Sequence, residues 1–400
     1  MLLLLLVACG PPVYTCTDPL PANQPNVSNP RVHQEGTQLI GPDGSEVKLD
    51  GVNLGGWLLW ESWIWGRPLD LLHLDRQSES HMLGRLTELY GADEAATFRS
   101  RLDAELMTEA DLAAIAALGF TTVRLPLNHT VVDDPARLAT VDAILDAASG
   151  NGLQVVLDLH AAPCGQSGAF TADPDATLLW DDPDAQAATV EVWRTLAARY
   201  AAKPAVVGYD LLNEPIPPDE AAYVALLADI IAAIRAEDPD TLMIVEGTAF
   251  ARDFRPFTDR LDENMAYEAH LYTSMDSRAL DRVGGFAELQ TCHDAPVWLG
   301  EFGEDQPTNV ASLRDAADAA GLAGTSFWPW KKVPTSNPGL GEITAPDDWL
   351  TLLDDLTAAD GTSGKLDRSQ ADAALEGFLA AAVPDQLTMN PDMVTALGGQ

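Results

Sequence analysis

Positive charge is scarce in this sequence. Its 400 residues carry 23 Lys and Arg against 61 Asp and Glu, a formal net charge of −38. Five of the basic residues are Lys (Lys48, Lys203, Lys331, Lys332 and Lys365). Such a surface repels nucleic acid and anionic headgroups, so a polyanionic partner is excluded and a neutral one fits. The composition is equally that of a salt-adapted surface and of a soluble secreted protein encoded by a GC-rich genome.

Cysteine is also sparse: Cys9, Cys16, Cys164 and Cys292. No C-x-x-C pair and no His at ligand spacing accompanies them, so neither a zinc site nor another metal is implied. Cys164 and Cys292 both fall near the ends of predicted strands, which leaves a bridge between them open. There is no G-x-S-x-G elbow, which disfavours a serine hydrolase. There is no Gly-rich phosphate loop after the first strand either, and no cofactor is implied.

Long apolar runs are missing as well. The opening MLLLLLVACG is too short to cross a bilayer and resembles a signal-peptide core. Its Leu-Val-Ala-Cys ending resembles a bacterial lipobox, in which cleavage precedes the cysteine and Cys9 then carries a lipid. The departure is the lack of Lys or Arg ahead of the run. This reading makes 1–9 a signal peptide and 10–32 a flexible tether. It predicts an exported protein, either a cell-envelope lipoprotein or secreted, touching a membrane only through that anchor.

From residue 33 the chain alternates β-rich runs with Ala-rich helical stretches. A turn around Asp43-Gly44 signals an N-terminal hairpin. Strands are predicted at 47–53, 121–127, 153–159, 205–212, 241–247, 265–272, 295–302 and 324–330. Helices are predicted at 105–118, 137–149, 184–202, 218–236, 279–291, 309–320 and 369–381. Eight strands alternating with helices predict a (β/α)₈ barrel as a single catalytic domain over 33–383, with a tail at 384–400. The stretch 66–104 is a long insertion that would wall the catalytic end. The chain is expected to be a monomer.

In such a barrel, function gathers at the C-terminal ends of the strands. Polar residues sit there at the ends of apolar runs: Arg124, His160, Asn213, Glu214, His270, Tyr272, Glu301, Trp328 and Trp330. Glu214 and Glu301 end strands on opposite sides of the ring. Two carboxyl groups facing each other suit glycosidic-bond cleavage, one donating a proton to the leaving oxygen and the other attacking C1. Arg124 beside Glu301 would favour its ionised form, and Tyr272 would donate to the same carboxylate. Glu214, in a drier place near an anion, would keep its proton. His33, His73, His81, His129 and His293 read as structural or solvated.

The endings LLNEP and WLGEFG, with Arg124, His160, His270 and Tyr272 in order, resemble the family 5 glycoside hydrolases of the cellulase clan. The resemblance covers about residues 33–350. It implies Glu214 as acid/base and Glu301 as nucleophile of a retaining β-glycosidase. It also implies that Asn213 meets the sugar 2-hydroxyl, that His160, His270 and Arg124 shape the −1 subsite, and that Trp328, or less so Trp330, forms a sugar platform. The stretches 51–64, 158–168 and 268–276 resemble exo-β-1,3-glucanases, which implies that Glu61 binds a terminal glucose. The loop 161–164 departs from that pattern, reading Ala-Ala-Pro-Cys in place of Gly-Ala-Pro-Gly. The expected substrate is a neutral β-glucan or oligosaccharide. Alternatives are a β-1,4-glucanase, a glycosylceramidase-like β-glucosidase, a transglycosylase using the same pair, and a silent glycan-binding protein.

Overall fold

The computed structural model describes residues 14–23 and 29–399. Eight parallel strands close into a barrel: β1 (Gly51–Asn53), β2 (Thr122–Asn128), β3 (Gln154–Ala161), β4 (Val206–Asp210), β5 (Leu242–Glu246), β6 (Met265–Leu271), β7 (Val297–Gly303) and β8 (Thr325–Trp328). The ring closes where Ser326 and Phe327 of β8 pair with Gly51 and Val52 of β1. Nearly every strand residue is buried, as expected when side chains on one face fill the barrel and those on the other meet helices.

The helices are α1 (Glu79–Tyr90), α2 (Ala92–Glu105) and α3 (Glu109–Ala117) ahead of β2, then α4 (Pro135–Gly150), α5 (Pro183–Tyr200) and α6 (Glu220–Glu237). They continue with α7 (Ala279–His293), α8 (Pro307–Ala319), α9 (Asp347–Leu356), α10 (Arg368–Ala381) and α11 (Pro391–Ala396). Local chemistry sets several starts. The side chains of Asp134, Asp182 and Asp219 accept first-turn N–H groups, and Pro135 and Pro183 follow as first helical residues.

The structure departs from the sequence reading in six places. The expected first strand is two pieces. Glu46–Val47 joins His33–Glu35 and Gln38–Ile40 in a small antiparallel sheet, and only Gly51–Asn53 enters the barrel. That sheet plugs the N-terminal end, where Leu39 and Leu49 pack against Val156, Val207, Ile244 and Trp298. The 66–104 insertion contains α1 and most of α2, helices the reading omitted. The helix expected at 105–118 begins only at Glu109, because Thr108 and Asp111 form a capping box that starts a new helix there.

The disulfide joins Cys16 to Cys292, and Cys164 is free. This corrects the open pairing of Cys164 with Cys292. It also corrects the flexible tether over its described part. Leu20 donates its N–H to the Cys292 carbonyl, Asn23 donates to Asp294 Oδ2 at 2.6 Å, and the Tyr14 hydroxyl is 3.0 Å from His293. Cys9 lies outside the described residues. The expected tail at 384–400 is likewise packed. Thr388–Met389 pairs with Gly341–Glu342, and α11 lies on α8 with Met393 fully buried. Two-residue strands and a six-residue helix are too short to show a clear period in sequence.

Candidate active site

The site is a cavity of about 810 Å³ at the C-terminal end of the barrel, lined among others by Glu61, His160, Glu214, His270, Tyr272, Glu301 and Trp328. Glu214 follows β4 in a left-handed backbone conformation (φ 45°), which turns its side chain out of the strand direction. Its N–H donates to Glu246 Oε2 at 2.6 Å, fixing that turn. Glu301 sits on β7 just after a register shift at Gly300. A Cβ at Gly300 would lie 1.7 Å from Glu268 Oε1, so only glycine lets β7 pass that side chain.

The two carboxylates converge. His270 Nδ1 is 3.1 Å from Glu214 Oε1 and 3.5 Å from Glu301 Oε2, and one ligand atom from each of the three residues lies within 4.8 Å of the others. Arg124 Nη1 donates to Glu301 Oε1 at 2.6 Å, and the Tyr272 hydroxyl donates to Oε2 at 2.6 Å. The nucleophile candidate is therefore held at both oxygens, with 4% of its surface exposed. Burial lifts the Glu214 carboxyl above its ordinary range, opposed by the charges of Arg252 and Arg124. Burial first, and the Glu301 charge second, push the Tyr272 phenol well up, so it stays a donor.

His160 stacks on Trp328, with centroids 5.3 Å apart and planes 11° from parallel. Its Nδ1 is 2.6 Å from Asp158 Oδ2, and burial drives its pKa down to about 4, keeping the ring neutral. Asn213 Oδ1 accepts from Arg124 Nη2 at 2.9 Å. Glu61 is 2% exposed; its Oε2 accepts from Trp63 Nε1 at 2.8 Å while Oε1 has no partner. Glu61 lines the cavity, and burial holds its carboxyl well above the ordinary carboxylate range. Trp330 is a correction. Its indole is buried away from the cavity and donates to Asp111 Oδ1 at 2.9 Å, so it is core.

Residues 93–332 match the family Cellulase (glycosyl hydrolase family 5). The chain belongs to glycosyl hydrolase family 5. A β-xylosidase of Phanerodontia chrysosporium is 32% identical over 295 residues, 67% of this chain and 60% of that protein. A probable glucan 1,3-β-glucosidase A of Aspergillus fumigatus is 30% identical over 272 residues, 63% of this chain and 64% of that protein. The chain thus spans somewhat under two thirds of these relatives. Among solved structures, a β-glucanase of Saccharophagus degradans superposes with a TM-score of 0.55 at 19% identity, covering 87% of this chain and 96% of that one. That likeness speaks to the (β/α)₈ fold alone.

Within this family member, sequence reasoning missed part of the site. Glu304 lines the cavity and pairs with the buried Lys332 Nζ at 2.8 Å, and that ammonium lies 5.0 Å over the Trp63 ring. Arg252 and Phe250 reach the cavity from the loop after β5. Asp158, Asp210, Glu246 and Glu268 lie fully buried beneath Glu214 and Glu301. The signal for these four was present: one acid inside each of four successive apolar strands. Two groups of described residues, Glu214 with His270 and Glu301, and Glu246 with Glu268 and His270, have ligand atoms near enough to hold an ion. Arg124 already supplies positive charge to both groups, at 2.6 Å from Glu301 and 3.1 Å from Glu246.

Proposed function

We propose that this chain is a retaining β-glycoside hydrolase that removes single glucose units from the end of a β-1,3-glucan. The observation that carries the mechanism is the proximity of Glu214 and Glu301, whose nearest ligand atoms lie within 4.8 Å. Retaining pairs stand about 5–5.5 Å apart, whereas inverting pairs need about 6.5–9.5 Å to admit a water. In the first step Glu214 gives its proton to the leaving oxygen while Glu301 attacks C1. The glycosyl-enzyme bond removes the charge of Glu301. In the second step Glu214, now ionised, takes a proton from water as that water attacks C1 and releases Glu301.

Terminal attack is supported by Glu61, Trp63 and Glu304 around one side of the cavity, and by Oε1 of Glu61 lacking a partner. The glucan assignment is supported by the relatives named glucan 1,3-β-glucosidase. Export is supported by the bond between Cys16 and Cys292, because such bonds persist mainly in oxidising compartments. The relative named β-xylosidase favours a second reading, a β-xylosidase using the same carboxyl pair.

The test is sugar release with product sizing on laminarin, barley β-glucan, carboxymethyl cellulose, pustulan and xylan, with Glu301→Gln as blank. Single glucose from laminarin is the expected result. Xylose release moves the assignment to the second reading. Mixed oligosaccharides indicate internal cleavage. Bound glycan without release indicates a binding protein.

A further inference from the structure

Below the catalytic pair the barrel is filled with carboxyl groups. Asp158, Asp210, Glu246 and Glu268 come from β3, β4, β5 and β6, and none of them is exposed. In register, Asp158 faces Asp210 and Glu246 faces Glu268. They share the Arg124 guanidinium, at 3.1, 2.7, 3.1 and 3.1 Å respectively, with Glu301 at 2.6 Å as a fifth claimant. One guanidinium cannot balance five buried anions, so protons must remain on some of them. The contacts agree. Asp158 Oδ1, Asp210 Oδ1 and Glu268 Oε2 receive no donor among the described residues, and burial raises all four carboxyls above their ordinary range.

This chain of carboxyls ends at His270. Its Nε2 is 3.2 Å from Glu268 Oε1 and 3.4 Å from Glu246 Oε1, and its Nδ1 is 3.1 Å from Glu214 Oε1. Glu301 from β7, Arg124 from β2 and His160 from β3 complete the charged and titratable surroundings, with Arg252 from the loop after β5. Burial keeps the imidazole neutral, its pKa driven down to about 3, so it has one N–H. If that N–H is at Nε2, a bare lone pair at Nδ1 faces Glu214, and it opposes the ionised form that the second step requires. If Glu268 holds a proton and donates it to Nε2, Nδ1–H donates to Glu214 Oε1 throughout the cycle. The other oxygen of Glu214 is then free for the leaving group.

We propose that Glu268, retaining a proton supplied within the buried carboxyl cluster, fixes His270 as its Nδ1–H tautomer and so positions Glu214. Glu268 is a positioning residue, acting through His270. The proposal rests on Glu214 being the acid/base.

The experiment is ¹⁵N NMR of histidine-labelled protein at neutral pH, with His270 assigned by loss of its signals in His270→Asn. The expected spectrum has Nδ1 protonated and Nε2 as a bare acceptor. Glu268→Gln, whose amide N–H replaces the carboxyl proton, should keep that tautomer and a kcat close to wild type. Glu268→Ala, with folding checked by near-ultraviolet circular dichroism, should lose the single tautomer and about 10- to 100-fold in kcat. A proton on Nε2 in the wild type overturns the proposal, as does a Glu268→Gln protein with the Nε2–H tautomer and full activity. The spectra need no turnover, so they fail or hold separately from the assignment of Glu214, which leaving-group dependence tests.

Discussion

The Tyr272 hydroxyl lies 2.6 Å from Oε2 of Glu301, opposite the Arg124 bond to Oε1. Glu301, the proposed nucleophile, is thus held by one donor on β2 and another just past the end of β6. Tyr272→Phe removes one donor without changing the ring. The expected loss is about 10²-fold in kcat, the scale for one preorganised donor, with KM little changed. Steady-state rates on an aryl glucoside check it. An unchanged kcat would show that Arg124 alone aims Glu301.

Glu214→Ala removes the proton donor and leaves Glu301 in place. Substrates with poor leaving groups should lose about 10²–10⁴-fold, and those with good leaving groups far less in the first step. A series of aryl glucosides of differing phenol acidity measures this. Equal losses across the series would rule Glu214 out as the acid.

Burial pushes Asp158 and Asp210 up to about 7, against an ordinary carboxylate value near 4. Their folded values exceed the unfolded ones, so the native state binds more protons between about pH 4 and 7. Stability is therefore full below that window and is lost as pH rises through it, by at most about 1.4 kcal/mol per pH unit for each group. Tm should fall from pH 5 to 7.5, even in 1 M NaCl, which screens the acidic surface but not the interior. Asp158→Asn with Asp210→Asn should flatten the slope. A Tm that rises over this range in high salt contradicts the buried-proton account.

Gly300→Ala places a Cβ 1.7 Å from Glu268 Oε1 and 2.2 Å from its Cδ. Either Glu268 or the β7 backbone must move, and Glu301 follows in the next position. Destabilisation of about 1–3 kcal/mol or more is expected by thermal melts, with reduced activity in the folded fraction. A variant of wild-type Tm and rate would show that Glu268 has room to move.

Much of the barrel was legible because its signals are local. Continuous apolar strands, each ending in a polar residue, identify parallel strands buried on both faces. Asp-Pro pairs before 135 and 183 mark helix starts, and the order of Arg124, His160, Asn213, Glu214, His270, Tyr272 and Glu301 is readable along the chain. What required the tertiary structure was everything set by closure of the ring. Cys292 met Cys16 and not Cys164, because the N-terminal segment runs along the end of α7. Trp328 came to line the cavity, stacked on His160, while Trp330, two residues on, turned into the core. The acids at 158, 210, 246 and 268 are unremarkable singly. Only a closed barrel brings them around one arginine, where low dielectric and a shortage of positive charge make them share protons.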